Sequence, residues 1–233
     1  MLGTIVNTCA ILAGSAIGAT VRQGLGQRYK TVLFDALGLA CIMLGVNASV
    51  SNMGRSEFPV LFILSLAIGA LVGTRLDLDG RLQRYEHRRK TQKPATADRP
   101  SLVEGLTTGC LLYCIGTFSI VGPVLSCLEG NNTYLYTNAT LDFVSSMVLA
   151  ATYGYGMMLA APVLFCWQGL FYLIAYLSRD AMPEPMRTEI SIVGGVLILC
   201  SGLSILHIRD CKTINLLPSL LVPVIFYLIK SLF

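Results

Sequence analysis

The chain has 233 residues, of which 54% are hydrophobic and 13% charged, and its mean hydropathy of +0.67 lies above the soluble globular range. That excludes a soluble enzyme or binding domain and points to an all-α integral membrane protein, one polytopic domain over 1–233. The formal net charge of +4 is no nucleic-acid footprint, because the basic residues gather between apolar stretches, where lipid head groups and topology account for them.

A membrane span needs roughly 20 apolar residues, and such stretches fall near 2–21, 32–50, 57–76, 101–125, 139–156, 161–178, 189–207 and 214–233. The first has no basic leader and no convincing cleavage site, so it reads as a retained helix rather than a signal peptide. Gly14 with Gly18, and Gly69 with Gly73, form small-residue faces on which another backbone can pack. Between the third and fourth stretches lies the one long polar segment, a basic linker over 77–100. It is expected to be a cytoplasmic connection and topology anchor that touches anionic lipid.

The fourth stretch is apolar enough to enter a membrane yet irregular inside. Cys110 and Cys114 fall one turn apart, and Gly116, Thr117, Ser119, Gly122 and Pro123 follow within a few residues. That pattern predicts a helix that loosens near its end, and irregular backbone at membrane depth is tolerated only where protein or a wet cavity satisfies it. The competing expectation is a kinked helix using Gly and Ser for close approach.

From 139 to 177 the chain is nearly uncharged, too long for one span at about 1.5 Å per residue. Gly154, Gly156 and Pro162 are its turn signals. A tight hairpin there makes eight membrane helices; one long broken helix makes seven. With the N-terminus outside, the inner loops of the eight-helix path hold 13 Lys and Arg against four outside, and the seven-helix path scores 14 against three. Both paths obey the positive-inside rule with the N-terminus outside, so the charge count fixes the orientation and leaves the number of helices open.

Sliding the sequence by 157 residues lays 1–76 on 158–233 without a gap. It pairs Cys9 with Cys166, Arg22 with Arg179, Gly38 with Gly195 and Gly45 with Gly202. Two three-helix repeats flanking a central helix pair follow from the eight-helix path, related by inversion; the seven-helix path makes them parallel.

Asp142 is the acid most in need of an explanation. It opens the uncharged stretch, with Ser145, Ser146 and Thr152 following, and a carboxylate at a helix centre costs about 2.5–3.5 kcal/mol on insertion scales. It therefore calls for a partner, a cation or a proton, unless it is an interfacial acid near a helix start. Asp35, Glu104 and Glu189 read as helix-start acids, Glu104 gaining weight from the irregular segment after it. Asn7 and Gln168 suit hydrogen bonds between helices. Six of the eight cysteines lie in apolar stretches without metal-ligand spacing, and Cys127 and Cys211 fall in loops expected on opposite sides, so neither a disulfide framework nor a metal site is expected. No cofactor motif, nucleophile elbow or phosphate loop appears, and the chain does not read as an enzyme.

Several phrases occur in order: GTIVN at 3–7, ALGLACIMLG at 36–45, EG at 104–105, CIGTFSIVG at 114–122, LD at 141–142, QG at 168–169, EISIVGG at 189–195 and LLPSLL at 216–221. Together they resemble the YqgA/YdfK-like family of bacterial inner-membrane proteins, a domain of unknown function (554), over essentially the full length. The resemblance implies a multi-pass bacterial inner-membrane protein described as a transporter candidate, and it transfers no residue roles. The chain departs from the expected alanine-rich CVGAMAIVG at 114–122, and has Ser145-Ser146 where Gly-containing sequence is usual.

These readings converge on a transporter or channel for a small solute or ion, cationic or proton-coupled. Its expected binding residues are Asp142, Ser145, Ser146, Glu104, Cys114, Gly116, Thr117 and Ser119. Membrane lipids are the expected partners, nucleic acid is not, and homo-oligomers are left open. The alternative is a non-transporting scaffold or regulator that works through its basic linker.

Overall fold

The computed structural model describes residues 1–21, 27–81, 83–84, 106, 109–110, 112–114, 116–179 and 182–230. Glu104 and most of the linker lie outside the described residues. The long helices are α1 (Leu2–Val21), α2 (Gln27–Met53), α3 (Leu61–Leu76), α4 (Thr117–Glu129), α5 (Thr133–Tyr153), α6 (Ala160–Ser178) and α7 (Glu184–Ile205), followed by a short α8 (Thr213–Leu216) and α9 (Leu221–Lys230). Among the described residues, six helical segments are long and apolar enough to cross a membrane: Leu2–Val21, Phe34–Met53, Leu61–Arg81, Gly154–Ser178, Glu184–Ile205 and Thr213–Lys230. The chain divides into two compact units, Met1–Leu37 with Glu86–Leu177, and Gly38–Tyr85 with Ser178–Phe233.

In the first unit, α1 turns inward a face that is small or polar except for Ile11: Gly3, Thr4, Asn7, Ile11, Gly14, Ser15, Gly18 and Ala19. The 3- and 4-residue spacing places them on one stripe, against which α5 lies along its length. Gly3 sits on Leu135, Gly14 on Phe143 and Ser146, and Gly18 on the Met147 carbonyl. Residue numbers rise together on the two helices, so α1 and α5 run parallel. A 3-10 turn over Gly154–Leu159 then reverses the chain. The Thr20 hydroxyl meets the Tyr155 hydroxyl at 3.3 Å, while Gly169 faces Met1, so α6 runs back antiparallel to α1. Ile11, Ala160, Ala161 and Leu164 share one buried cluster with Tyr113, Cys114 and Met157.

The second unit is built around α7, the spanning helix with the largest buried share, 67%. It runs antiparallel to α2. A Cβ on Gly195 would lie 2.8 Å from the Gly45 carbonyl, and one on Gly202 2.8 Å from the Gly38 carbonyl; only glycine permits that approach. On α3, Gly69 rests on Ser219 and Gly73 on Asn215. The Asn215 Oδ1 accepts the Asp79 N–H at 2.9 Å, which ties down the C-terminal end of α3.

Several expectations need correction. The fifth helix starts at Thr133, not 139, so Asp142 is its tenth residue rather than a first-turn acid. The fourth stretch is interrupted at Gly116, within the segment expected to loosen, but it does not end there: it resumes as α4 as far as Glu129. Cys127 is therefore a buried helical residue and not a loop cysteine. Glu189 lies in the second turn of α7 and is wholly buried. Asn7 and Gln168 are buried as interhelical residues should be, yet none of their amide atoms completes a hydrogen bond.

Candidate functional site

Gly116 has φ −58 and ψ 142, an extended conformation that ends one helical run and lets α4 start at Thr117. The Ser119 N–H closes the first turn on the Gly116 carbonyl at 3.0 Å. The amides of Thr117 and Phe118 open the helix and have no acceptor within it. Pro123 lies inside α4 and has no N–H to offer the Ser119 carbonyl one turn earlier. The Ser119 hydroxyl donates across the break to the Tyr113 carbonyl, an acceptor that the interruption at Gly116 removes from the helical ladder. Thr117, Phe118 and Ser119 are all buried, while Gly116 is exposed.

Asp142 is 7% exposed. One turn before it on α5, the Asn138 Nδ2 donates to Asp142 Oδ2 at 2.9 Å. Asn7 of α1 faces the same carboxylate, although neither polar atom of its side chain reaches a partner in ordinary hydrogen-bond geometry. The Tyr113 phenol lies within electrostatic reach of Asp142, with Ser146 beside it, and its hydroxyl completes no hydrogen bond in ordinary geometry. Cys114, the last described residue before the break at Gly116, lies within electrostatic reach of Asp142. Among the described residues, no Lys, Arg or His acts on this carboxylate.

Of the expected residues, the structure brings together Asp142, Ser146 and Cys114, with Thr117 and Ser119 held in the same unit across the break from Tyr113. Ser145 does not join them by any described contact: it is half-buried and its hydroxyl donates to the Leu141 carbonyl at 2.8 Å. Three contributors were missed. Tyr113 sits beside the expected cysteine with no special spacing. Asn138 stands four residues before Asp142, a one-turn relation that could have been read from NATLD. Asn7 stood out only as a packing amide, because nothing in one sequence says which helix faces α1.

What this patch can do follows from its unspent valences. A buried polar group without a partner costs about 1–3 kcal/mol, and here Asn7 and Tyr113 both hold open positions beside a carboxylate with one protein hydrogen bond on a single oxygen. A proton or a small cation with water would meet all of them. Among the described residues, no group of three or more His, Cys, Asp or Glu could hold a metal ion.

A family profile described as "Protein of unknown function (DUF554)" matches residues 2–228. The chain belongs to the DUF554 family. Of its relatives, the uncharacterized membrane protein YdfK of Bacillus subtilis (strain 168) is 46% identical over 232 residues, covering 99% of this chain and 98% of its own. The uncharacterized protein YqgA of Escherichia coli (strain K12) is 27% identical over 230 residues, 95% and 94% of the two chains. No solved structure matches the chain. Together with the six apolar spans, DUF554 membership identifies an integral membrane protein whose family has no assigned activity.

Proposed function

We propose that this DUF554 protein is a transporter or channel for a small solute or ion, in which Asp142 holds a cation, a proton or the amine of a zwitterion. The observation behind this reading is the buried Asp142 carboxylate, served by neutral groups alone, beside a broken helix in the same unit. Broken helices with a buried acid nearby are how many secondary transporters build a site at mid-membrane. Uptake into proteoliposomes of purified protein, driven by imposed cation and proton gradients, tests it. Absence of any flux above empty liposomes, across the common monovalent cations and amino acids, would sink the reading.

An inverted repeat fits the same picture. At the offset of 157, Gly38 corresponds to Gly195 and Gly45 to Gly202, whereas the contacts run Gly38 with Gly202 and Gly45 with Gly195. Each glycine thus touches the counterpart of the other, the reciprocity that a two-fold axis imposes. The second helix pair follows the same rule. Gly73 corresponds to Lys230 and Phe58 to Asn215; Gly73 packs on Asn215, and the Lys230 ammonium lies 4.8 Å from the Phe58 ring centroid. Antiparallel helices exchanged by a two-fold require an axis perpendicular to them, hence in the membrane plane. The reversal at Gly154–Leu159 supports the eight-helix path that this arrangement needs.

Two checks follow. Gly45→Ala and Gly195→Ala should each destabilise the protein, by similar amounts of about 1–3 kcal/mol, in thermal unfolding in detergent; a neutral result at either position breaks the reciprocity. In a cysteine-free background, single cysteines at the exposed positions 130, 131, 133 and 136 should react with an impermeant maleimide on intact cells and position 90 should not. Labelling at position 90 would reverse the proposed orientation, which has the N-terminus outside a bacterial inner membrane.

Ser119→Ala is expected to act mildly. It removes one hydrogen bond, worth about 1 kcal/mol, and water can take its place on the Tyr113 carbonyl. Flux reduced more than about tenfold would show that the hydroxyl touches the transported species.

A further inference from the structure

The turn that carries the chain from α7 to α8 brings two cysteines together. α7 is capped by Leu206, and His207 after it takes a left-handed φ of 54°. The His207 N–H returns to the Ser204 carbonyl at 3.1 Å and the Ile208 N–H to the Leu203 carbonyl at 3.1 Å, the pair of bonds that folds a chain back at a helix end. The Ser204 side chain then fixes the return. Its hydroxyl donates to the Cys200 carbonyl at 3.1 Å, lies 3.3 Å from the Arg209 carbonyl oxygen and accepts the Cys211 N–H at 3.4 Å. One hydroxyl thus ties the main chain of Cys211 to that of Cys200, and the two thiols are hydrogen-bonding neighbours.

Both cysteines are free thiols and both are half-buried. A disulfide forms only where two main chains approach and the side chains point at one another, which is the relation these two have. Cys211 is the more approachable, because Arg209 and Asp210 before it and Lys212 after it are exposed. The turn around it is held in place, with the Lys212 N–H donating to Asp210 Oδ1 at 3.0 Å. The exposed Arg209 and Lys212 give this surface a basic character that draws an anionic reactant. Cys41, in the same unit, is 0% exposed and closed to any reagent in water.

We propose that Cys200 and Cys211 are a redox modification site, a thiol pair that closes reversibly into a disulfide by exchange with an anionic low-molecular-weight disulfide. Cys211 gives up its proton and attacks one sulfur of the external disulfide, whose S–S bond breaks to release a thiolate. Cys200 then gives up its proton and attacks the Cys211 sulfur, breaking the mixed disulfide and releasing the second thiolate. The two protons end on the two released thiols, so both cysteines are oxidised and one external disulfide is reduced. The new bond fastens the turn leading to α8, whose Asn215 holds the end of α3. In the orientation proposed above this turn faces the cytoplasm, where a lasting disulfide is rare and a transient one serves redox sensing. Formation of the bond itself depends neither on that orientation nor on transport through the Asp142 site.

The test treats the full chain in lipid nanodiscs with oxidised glutathione, blocks the remaining thiols with iodoacetamide and maps the cysteines by peptide mass spectrometry. The expected product is a peptide pair joined through Cys200 and Cys211, which dithiothreitol returns to two alkylatable thiols. In Cys200→Ser the reaction should stop at a glutathione mixed disulfide on Cys211. In Cys211→Ser, glutathionylation of Cys200 should be at least about tenfold slower than that of Cys211, because access limits the reaction. Wild-type protein in which both thiols stay alkylatable under excess oxidant overturns the proposal, as does a wild-type mixed disulfide on Cys211 that Cys200 never resolves. A joined pair that appears only after denaturant is added overturns it too. The wild-type map decides without either variant, so a variant that does not fold leaves the test intact.

Discussion

Asp142→Asn should abolish cation- or proton-coupled flux while leaving insertion and folding intact. The substitution keeps the shape, and the new amide oxygen can still accept from the Asn138 Nδ2 that now bonds Oδ2 at 2.9 Å. What it removes is the charge. Relief of a buried carboxylate, about 2.5–3.5 kcal/mol on insertion scales, should leave thermal stability equal to wild type or higher. Two measurements read the result together: gradient-driven uptake in proteoliposomes and unfolding temperature in the same detergent. Lost flux with retained stability is the expected pattern. Wild-type flux from this variant would reduce Asp142 to an internal cap for Asn138.

The second large effect is steric. A Cβ at Gly18 would overlap the Met147 carbonyl, its carbon and its Cα, all backbone atoms that cannot rotate away. Gly18→Ala should therefore force α1 from α5 along the most extensive helix contact of the first unit, and a bulkier residue should prevent accumulation of folded protein. Overpacking a tight interior site commonly costs about 1–3 kcal/mol, and main-chain overlap belongs at the upper end. Gly54 supplies the control, since a Cβ there has nothing within 4 Å, and Gly54→Ala should be silent. Monodispersity on size exclusion and the unfolding temperature separate the two; a stable Gly18→Ala protein would mean that the helices are farther apart than described.

The same pair of helices shows how far the residues alone could be read. Gly14 and Gly18 are legible as a packing face because two small residues one turn apart leave a groove whatever fills it. Their partner is not legible, since α1 and α5 are more than a hundred residues apart and α5 carries no matching small-residue pattern. Asp142 could be singled out because charge is rare in an apolar stretch. Its depth could not, because α5 begins in TYLYTNAT, a polar run that composition assigns to a loop and that becomes helix only when α1 and α4 cover it. Glu189 was misjudged for a related reason. An acid just after a basic residue and a threonine has the pattern of a helix-start charge, and its burial beside Ser56, from the turn between α2 and α3, is set by a segment distant in sequence.

Composition and the spacing of apolar stretches by themselves determined that this chain is an all-helical membrane protein, and that its middle is irregular near Gly116. Those properties depend on solvent and on local backbone preference. A bilayer demands long apolar helices, and glycine and proline act within a turn of where they stand. The tertiary structure alone decided which helices are parallel, how Gly38 and Gly45 exchange partners with Gly195 and Gly202, and which neutral groups surround Asp142 and Glu189. Those are contacts between residues distant in sequence, and in lipid they rest on close packing and hydrogen bonds instead of a hydrophobic force that a periodic pattern would advertise.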